Sequence, residues 1–274
     1  MTTWISARTG QFSYFDRQLG HPGWAGKRVL DFGGNVGNIL LDPRCEIEHD
    51  KYWSIDVSRD AITEGRWRHP KANFVFYDRY NFEYNPTGTP GLPIPDLGVR
   101  FDIIVGWSIF THVSKAETLE FADQLVDFLT DDGQAAFSFL DPMFTPPPGW
   151  AREDESPGMS NLAWRLAARR ATNPGLDVAG LLARAERTEL TWTTLVNDDE
   201  LVFDPDDDGI AAGKPSRFYL TFATPAYLQR LFPTGKILDP VPPERFHCLV
   251  IDRTSKHRTR REGDDDDRDA GARG

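Results

Sequence analysis

Three aspartates and a glycine turn hold most of the chemistry this sequence offers. Asp31 closes the apolar run "RVLDF", and Gly33, Gly34, Asn35, Val36 and Gly37 follow at once. Asp56 comes 19 residues after Gly37, at the end of the apolar run "YWSIDV", beside Val57. Asp78, followed by Arg79, ends "NFVFYD", and Gly106, Trp107 and Ser108 end "FDIIVGWS". A carboxylate that closes an apolar strand about 20 residues past a glycine turn suits the hydroxyls of a ribose. Two hydroxyls donating to one carboxylate make paired charge-assisted hydrogen bonds. At the third strand end, Asp78 can accept a hydrogen bond from the exocyclic amine of an adenine. The plainer role for each aspartate is a helix cap or a solvated charge. At Asp56 that role can pass to Ser58, which precedes "RDAITEGRW".

The turn discriminates among ligands. A dinucleotide fold needs Gly-x-Gly-x-x-Gly, and Gly33-Gly34-Asn35-Val36-Gly37 does not supply that spacing. A phosphate-binding Walker loop fails as well, because no Gly-Lys-Ser/Thr follows. Asp31 beside the turn opposes a pyrophosphate and suits a ligand bearing a sulfonium and an ammonium. Asn35 stands where a further glycine is usual. Asparagine tolerates positive φ better than most residues, so it can keep the turn, and its amide can add a hydrogen bond near the ligand.

Two side chains are candidates for acid–base work. His112, in "SIFTHVS" a few residues past the fourth apolar run, titrates in a useful range, although a histidine there can equally hold the start of the next helix. Tyr14 lies in the aromatic segment "TGQFSYFDRQLGHPGW", where Tyr14, Phe15 and Trp24 form either a lid over the site or ordinary packing on the sheet. His247 reads as structural. "DPDDDG" resembles half a calcium loop but lacks the spaced glutamate that completes one, so no metal site is expected.

These residues need a scaffold. Five apolar runs, "RVLDF", "YWSIDV", "NFVFYD", "FDIIVGW" and "QAAFSFL", alternate with helical or loop segments, a βαβαβαβαβ order. "KAETLEFADQLVDFLT" has the apolar spacing of a helix lying on a sheet, with Gly133 expected as its C-cap. Past Asp141, "DPMFTPPPGW" is a proline-rich exit. Two helices, "NLAWRLAARRA" and "DVAGLLARAERTEL", and two strands, "TWTTLVND" and "ELVFD", follow. "TPAYLQRLF" is a helix with Thr224 as N-cap and Pro225 near its start, and "KILDPV" and "FHCLVIDR" are strands. The fold expected is α/β: a doubly wound, mostly parallel seven-stranded sheet with a final antiparallel strand and an inserted cap.

Taken together, Asp31-Phe-Gly33-Gly34-Asn35-Val-Gly37, Asp56, Asp78, "FDIIVGWSIFTHVS" and "DDGQAAFSFL" resemble the class I S-adenosylmethionine-dependent methyltransferases. The resemblance is close over Gly26 to Asp141, loose over Tyr219 to Arg253, and absent between. Gly33 and Gly37 match the outer glycines of that family's loop, and Asn35 replaces the middle one. The resemblance implies S-adenosyl-L-methionine as cofactor. The loop would pass under its methionine part, Asp56 would hold its ribose, Asp78 would face its adenine, and Trp107 and its neighbours would border it. Segment by segment, the aromatic residues of 1–25 suggest an N-terminal lid or helical segment, and the resemblance implies a cofactor-binding core over 26–142 and an inserted substrate-recognition cap over 143–215. The core sheet would resume over 216–253, before a disordered tail over 254–274. Trp150, Trp164 and Trp192 in the insertion suggest either an aromatic acceptor pocket or the core of the cap.

Composition narrows the partners. The chain has 274 residues and a net charge of −11, which opposes nucleic acid and favours a small-molecule acceptor or, as the alternative, a basic peptide or protein side chain. A non-catalytic cofactor-binding fold is the third reading. Two cysteines, Cys45 and Cys248, make no disulfide framework and suit a reducing cytoplasm. No apolar run reaches the roughly 18 residues of a membrane span, and no leader peptide is evident. The excess of arginine over lysine and the Asp-rich, Ala-rich texture hint at a GC-rich bacterial genome, and the small-molecule acceptor is expected to be a secondary metabolite. The oligomeric state is left open.

Overall fold

A computed structural model describes residues 10–150, 158–187, 192–196, 200–202 and 219–255. Within them, β1 (Val29–Phe32), β2 (Tyr52–Asp56), β3 (Asn73–Phe76), β4 (Phe101–Gly106) and β5 (Leu129–Phe139) arise from the five apolar runs. The insertion supplies β6 (Trp192–Val196), β7 (Glu200–Val202) and β8 (Tyr219–Ala223), and the chain finishes with β9 (Lys236–Leu238) and β10 (His247–Asp252). The main sheet has seven strands in the order β3-β2-β1-β4-β5-β10-β9. β1 pairs in parallel with both β2 and β4, the point where the strand order reverses. β10 runs antiparallel to β5 and to β9. The expected doubly wound, mostly parallel sheet is therefore present, and the carboxyl ends of β1 to β4 share one edge.

Two apolar layers cover the sheet. On one face, α3 (Lys115–Asp127) and α6 (Pro225–Leu231) bring Phe121, Leu125 and Leu228 onto Leu30, Ile104 and Phe137. On the other, α1 (Gln11–Gln18) brings Phe12, Tyr14 and Phe15 onto Val29, Ile103 and Val105, joined by Trp24 and by Ile62 of α2 (Arg59–Arg68). The aromatic N-terminal segment is thus core packing: Tyr14, Phe15 and Trp24 are fully buried, and the lid expectation gives way to it. The helix starts follow their polar caps. Ser58 accepts from Ala61 N, Ser114 and Glu117 form a reciprocal capping box, and Thr224 accepts from Tyr227 N.

Three expectations are corrected. The segments after β1 and after β3 hold no α-helix. The first makes 3-10 turns at Asn38–Leu41 and His49–Lys51, and Pro43 stops the earlier one. The second carries Pro86, Pro90, Pro93 and Pro95, which remove donors and clash with a helical backbone. Gly133 is not the cap of α3, which ends at Asp127. It lies inside β5, where pairing with β4 jumps from Phe101↔Leu129 to Ile103↔Gln134, and a Cβ there would stand 2.8 Å from the Phe101 carbonyl oxygen. Finally, β8 falls beyond the expected 215/216 boundary yet belongs to the insertion's three-stranded sheet, ordered β7-β6-β8.

The insertion also has α4 (Asn161–Thr172) and α5 (Val178–Arg187), with Leu162, Leu166 and Leu176 packed on Leu140, Leu220 and Phe222. It is tied to the core: Thr221 N donates to Thr111 O at 2.8 Å and Ala223 N to Leu140 O at 2.9 Å. Trp164 stacks its ring under the Arg245 guanidinium at 5.3 Å, while Trp150 packs against Phe144. The Trp192 side chain, "DPDDDG" and the tail past Ser255 lie outside the described residues. No described helix is long and apolar enough to cross a membrane.

Candidate functional site

The turn after β1 is held from within. Gly33 N donates to Ile55 O at 2.8 Å, tying the turn to β2. Asn35 N donates to Asp56 Oδ2 at 2.9 Å, Val36 N to Asn35 Oδ1 at 2.8 Å, and Gly37 N to Gly34 O at 2.9 Å. Asn35 has φ 52°, so it does keep the left-handed turn that glycine would otherwise supply. Its side-chain oxygen serves the turn itself by accepting from the next amide.

The glycines make room for the protein's own side chains. A Cβ on Gly33 would lie 2.8 Å from Ile109 Cγ1, one on Gly34 would lie 2.6 Å from Ser54 Oγ and 2.7 Å from Asp31 Cγ, and one on Gly37 would lie 3.1 Å from His69 Cδ2. Gly33 and Gly37 also have φ of 74° and 84°, which L side chains rarely adopt.

Asp31 and Asp56 lie near the carboxyl ends of neighbouring strands but differ in their surroundings. Asp31 is 2% exposed, under Gly34, and accepts from Tyr52 Oη at 2.8 Å. Burial pushes its carboxyl up to about 7; the Tyr52 bond opposes the rise and the nearby Asp56 adds to it. Asp31 therefore acts beneath the turn rather than on a bound molecule. Asp56 lies at the turn's rim, with Asn35 N on Oδ2 and Ser58 N on Oδ1 at 2.7 Å. Burial raises its carboxyl and these backbone donors pull it back down. Each oxygen keeps a lone pair for a further donor. Val57, next in the chain, packs against the core layer of α3.

Asp78 is exposed at the end of β3, and Asn85 Nδ2 donates to its Oδ1 at 3.1 Å. Arg79, expected beside the cofactor, is committed elsewhere. Its guanidinium is buried, donates to Glu120 at 2.7 and 2.8 Å, to Glu117 at 3.3 Å and to Leu92 O at 3.0 Å, and covers the Phe121 ring. Its partners are 38 and 41 residues away on α3, so no local sequence signal marked the pairing.

At the end of β4, Gly106 sits against the Phe137 ring, and Trp107 is buried edge-on to Tyr14 at 4.9 Å. Ser108 has φ 58° and is fixed by Ser138 Oγ accepting its amide at 2.7 Å and by Thr111 Oγ1 at 2.7 Å from its own hydroxyl. This geometry swings Ile109 over Gly33. Ile109 was absent from the sequence expectations; an apolar residue in an apolar run carries no signal of that role.

Neither acid–base candidate gains support as a base. His112 is exposed, with its amide bonded to Ile109 O in the turn before α3. Tyr14 is fully buried; its hydroxyl donates to His247 O at 2.8 Å, and burial lifts it well above its ordinary range. It is corrected from catalytic candidate to the bolt between α1 and β10.

The rim's donor set tests what the site can hold. Four amides of the turn are turned inward, and carboxylates flank it on the β1, β2 and β3 sides. An anion needs free amides and a positive surround, so a pyrophosphate does not fit. A cation with hydrogen-bond-donating hydroxyls does, and S-adenosylmethionine has both.

Residues 30–135 match a family model described as a methyltransferase domain. No curated protein matches the chain by sequence. Solved structures of similar outline include DesVI from Streptomyces venezuelae, 14% identical over 88% of this chain and 91% of that one, with a TM-score of 0.46. An S-adenosylmethionine-dependent methyltransferase from Clostridium acetobutylicum is 9% identical over 88% and 89%, with a TM-score of 0.46. The glycopeptide N-methyltransferase MtfA, complexed with S-adenosylmethionine, is 12% identical over 87% and 92%, with a TM-score of 0.44. The likeness to methyltransferase domains thus spans residues 30–135, the segment that holds the glycine turn, Asp56 and Asp78.

Proposed function

We propose that this protein transfers a methyl group from S-adenosylmethionine to an O, N or C atom of a small-molecule acceptor, in the cytoplasm of a bacterium and in secondary metabolism. The observation that carries the cofactor assignment is the inward-turned glycine loop with Asp56 at its rim. The bound cofactor supplies an electrophilic methyl on a sulfonium. The chain's own residues bind and orient it. Asp56 accepts the ribose hydroxyls on the lone pairs that Asn35 N and Ser58 N leave open. Asp31 beneath the turn and Asp56 beside it favour a positive ligand when ionised. Asp78 faces the base, and the turn from Gly106 to Ile109 borders the methionine part. The insertion, anchored on Thr111 and Leu140, is where the acceptor is enclosed and water excluded. No side chain is assigned as a general base.

Isothermal calorimetry tests the reading. S-adenosylmethionine binds the wild-type protein in the micromolar range, and Asp56→Ala weakens it by two hydrogen bonds to a charged acceptor at about 1.5–3 kcal/mol each, on the order of 100-fold or more. Absence of binding, or equal binding by the variant, sinks the proposal.

A further inference from the structure

The turn between β4 and α3 touches the glycine turn at one end and the insertion at the other. At the first end, Ser108 has φ 58°, a left-handed conformation unfavourable for a residue with a Cβ. It aims the half-buried Ile109 at Gly33, where a Cβ would stand 2.8 Å from Ile109 Cγ1. Such a conformation persists only where the surroundings over-determine it. Part of the hold is local. Thr111 Oγ1 donates to Ser108 O at 2.8 Å, so the Ser108 hydroxyl, 2.7 Å away, donates to Thr111 Oγ1 in return. Ser138 Oγ on β5 accepts from Ser108 N at 2.7 Å.

The other part comes from the insertion. Thr221, in the middle of β8, donates its amide to Thr111 O and its hydroxyl to Val113 O, both at 2.8 Å. One residue thus takes two alternate carbonyls of the turn, as a neighbouring strand would. Thr221 and Thr111 are 2% and 0% exposed, so a bond lost there is not made good by bulk water. β8 is in turn paired with β6, Thr194 opposite Thr221, and Phe222 packs with Leu162 and Leu166 of α4. The inserted element is therefore fastened to the backbone at Thr111, next but one to Ile109.

We propose that Thr221 is a positioning residue for the cofactor site: its two bonds hold the 108–113 turn so that Ile109 stays seated on Gly33 as a wall for the bound cofactor. The inference rests on the proposed function, which sets the methionine part of the cofactor beside this turn. It gives the insertion a second task, because the strand that helps enclose the acceptor also fixes a wall of the cofactor site. Thr221 touches no ligand in this role and acts through Ile109. A Thr221 that stabilises the fold and leaves the cofactor untouched is the competing outcome.

The probe is S-adenosylhomocysteine, titrated by calorimetry into wild type, Thr221→Val, Thr221→Ser, Ile109→Ala and the variant carrying both Thr221→Val and Ile109→Ala, with thermal melting to verify folding. Valine keeps the shape and the amide bond and removes the hydroxyl donor. Thr221→Val is expected to weaken binding about 5-fold, the factor of one hydrogen bond, and Thr221→Ser to bind within about 2-fold of wild type. Ile109→Ala is expected to weaken binding about 10-fold through lost apolar contact. In the double variant the two losses should not multiply, because Thr221 acts only through Ile109. If wild type binds the probe and Thr221→Val binds it equally well, or the double variant loses the product of the two factors, the positioning role is overturned while the cofactor assignment stands. Ile109→Ala binding like wild type overturns the role by itself, even where Thr221→Val does not fold. If the wild type does not bind the probe, the cofactor assignment fails and the positioning role with it.

Discussion

The carboxyl ends of β1 and β2 read alike in the sequence and differ in the structure. Each is an apolar strand with an aspartate at its carboxyl end, yet Asp31 is sealed under Gly34 with Tyr52, while Asp56 stands at the rim holding two backbone amides. One carboxylate builds the turn from below, and the other accepts the amides of Asn35 and Ser58 at its rim, where the proposed ribose contact would fall. The difference teaches that a glycine loop can owe its glycines to its neighbours: Ser54 and Asp31 lie where a Gly34 side chain would go, and Ile109 where a Gly33 side chain would.

The largest separation of the two strand ends should come from substitution on each. At the rim, Asp56→Asn keeps an acceptor but adds donors facing Asn35 N or Ser58 N. Cofactor affinity should fall roughly 10-fold, less than for alanine, with little change in melting temperature. Beneath the turn, Gly34→Ala should do the reverse first. Its Cβ overlaps Ser54 and Asp31, overpacking that costs about 1–3 kcal/mol, so melting should drop by several degrees before any ligand is added. A Gly34→Ala protein that melts like wild type would break the distinction.

A pH series sharpens it further. The Asp31 carboxyl is raised to about 7 in the folded protein, above its ordinary 3.8. Between those values the folded state holds a proton the unfolded state has released. This group's contribution to stability is therefore full below about pH 4 and is lost as pH rises through about 7. Asp31→Asn, which mimics the protonated group, should melt higher than wild type at pH 8 by a few degrees, with the gap closing toward pH 4. A gap independent of pH would contradict burial as the cause. The smallest effect is expected at Asn35. Asn35→Gly regains the turn's natural residue but loses the acceptor for Val36 N, so cofactor affinity should change less than about 3-fold, as read by calorimetry.

Much of this was legible beforehand. The strands showed as near-continuous apolar runs because parallel strands are covered on both faces. Asp56 was marked by its distance from Gly37, and Ser58 took the capping role that would have competed for it. What stayed hidden depended on residues far apart in the chain. Arg79 looked like a rim residue until Glu117 and Glu120 on α3 met it. Tyr14 looked available until β10 covered it. The missing crossover helix after β3 was written in its four prolines, which outweigh a βα expectation, and β8 was missed because its partner β6 belongs to the insertion.

The central claim is that this turn selects a cation rather than an anion. Parallel calorimetric titrations of the wild-type protein with S-adenosylmethionine and with NAD test it most directly. The account predicts micromolar binding of the first and no measurable binding of the second. Binding of NAD as tight as that of S-adenosylmethionine, or of NAD alone, would contradict it.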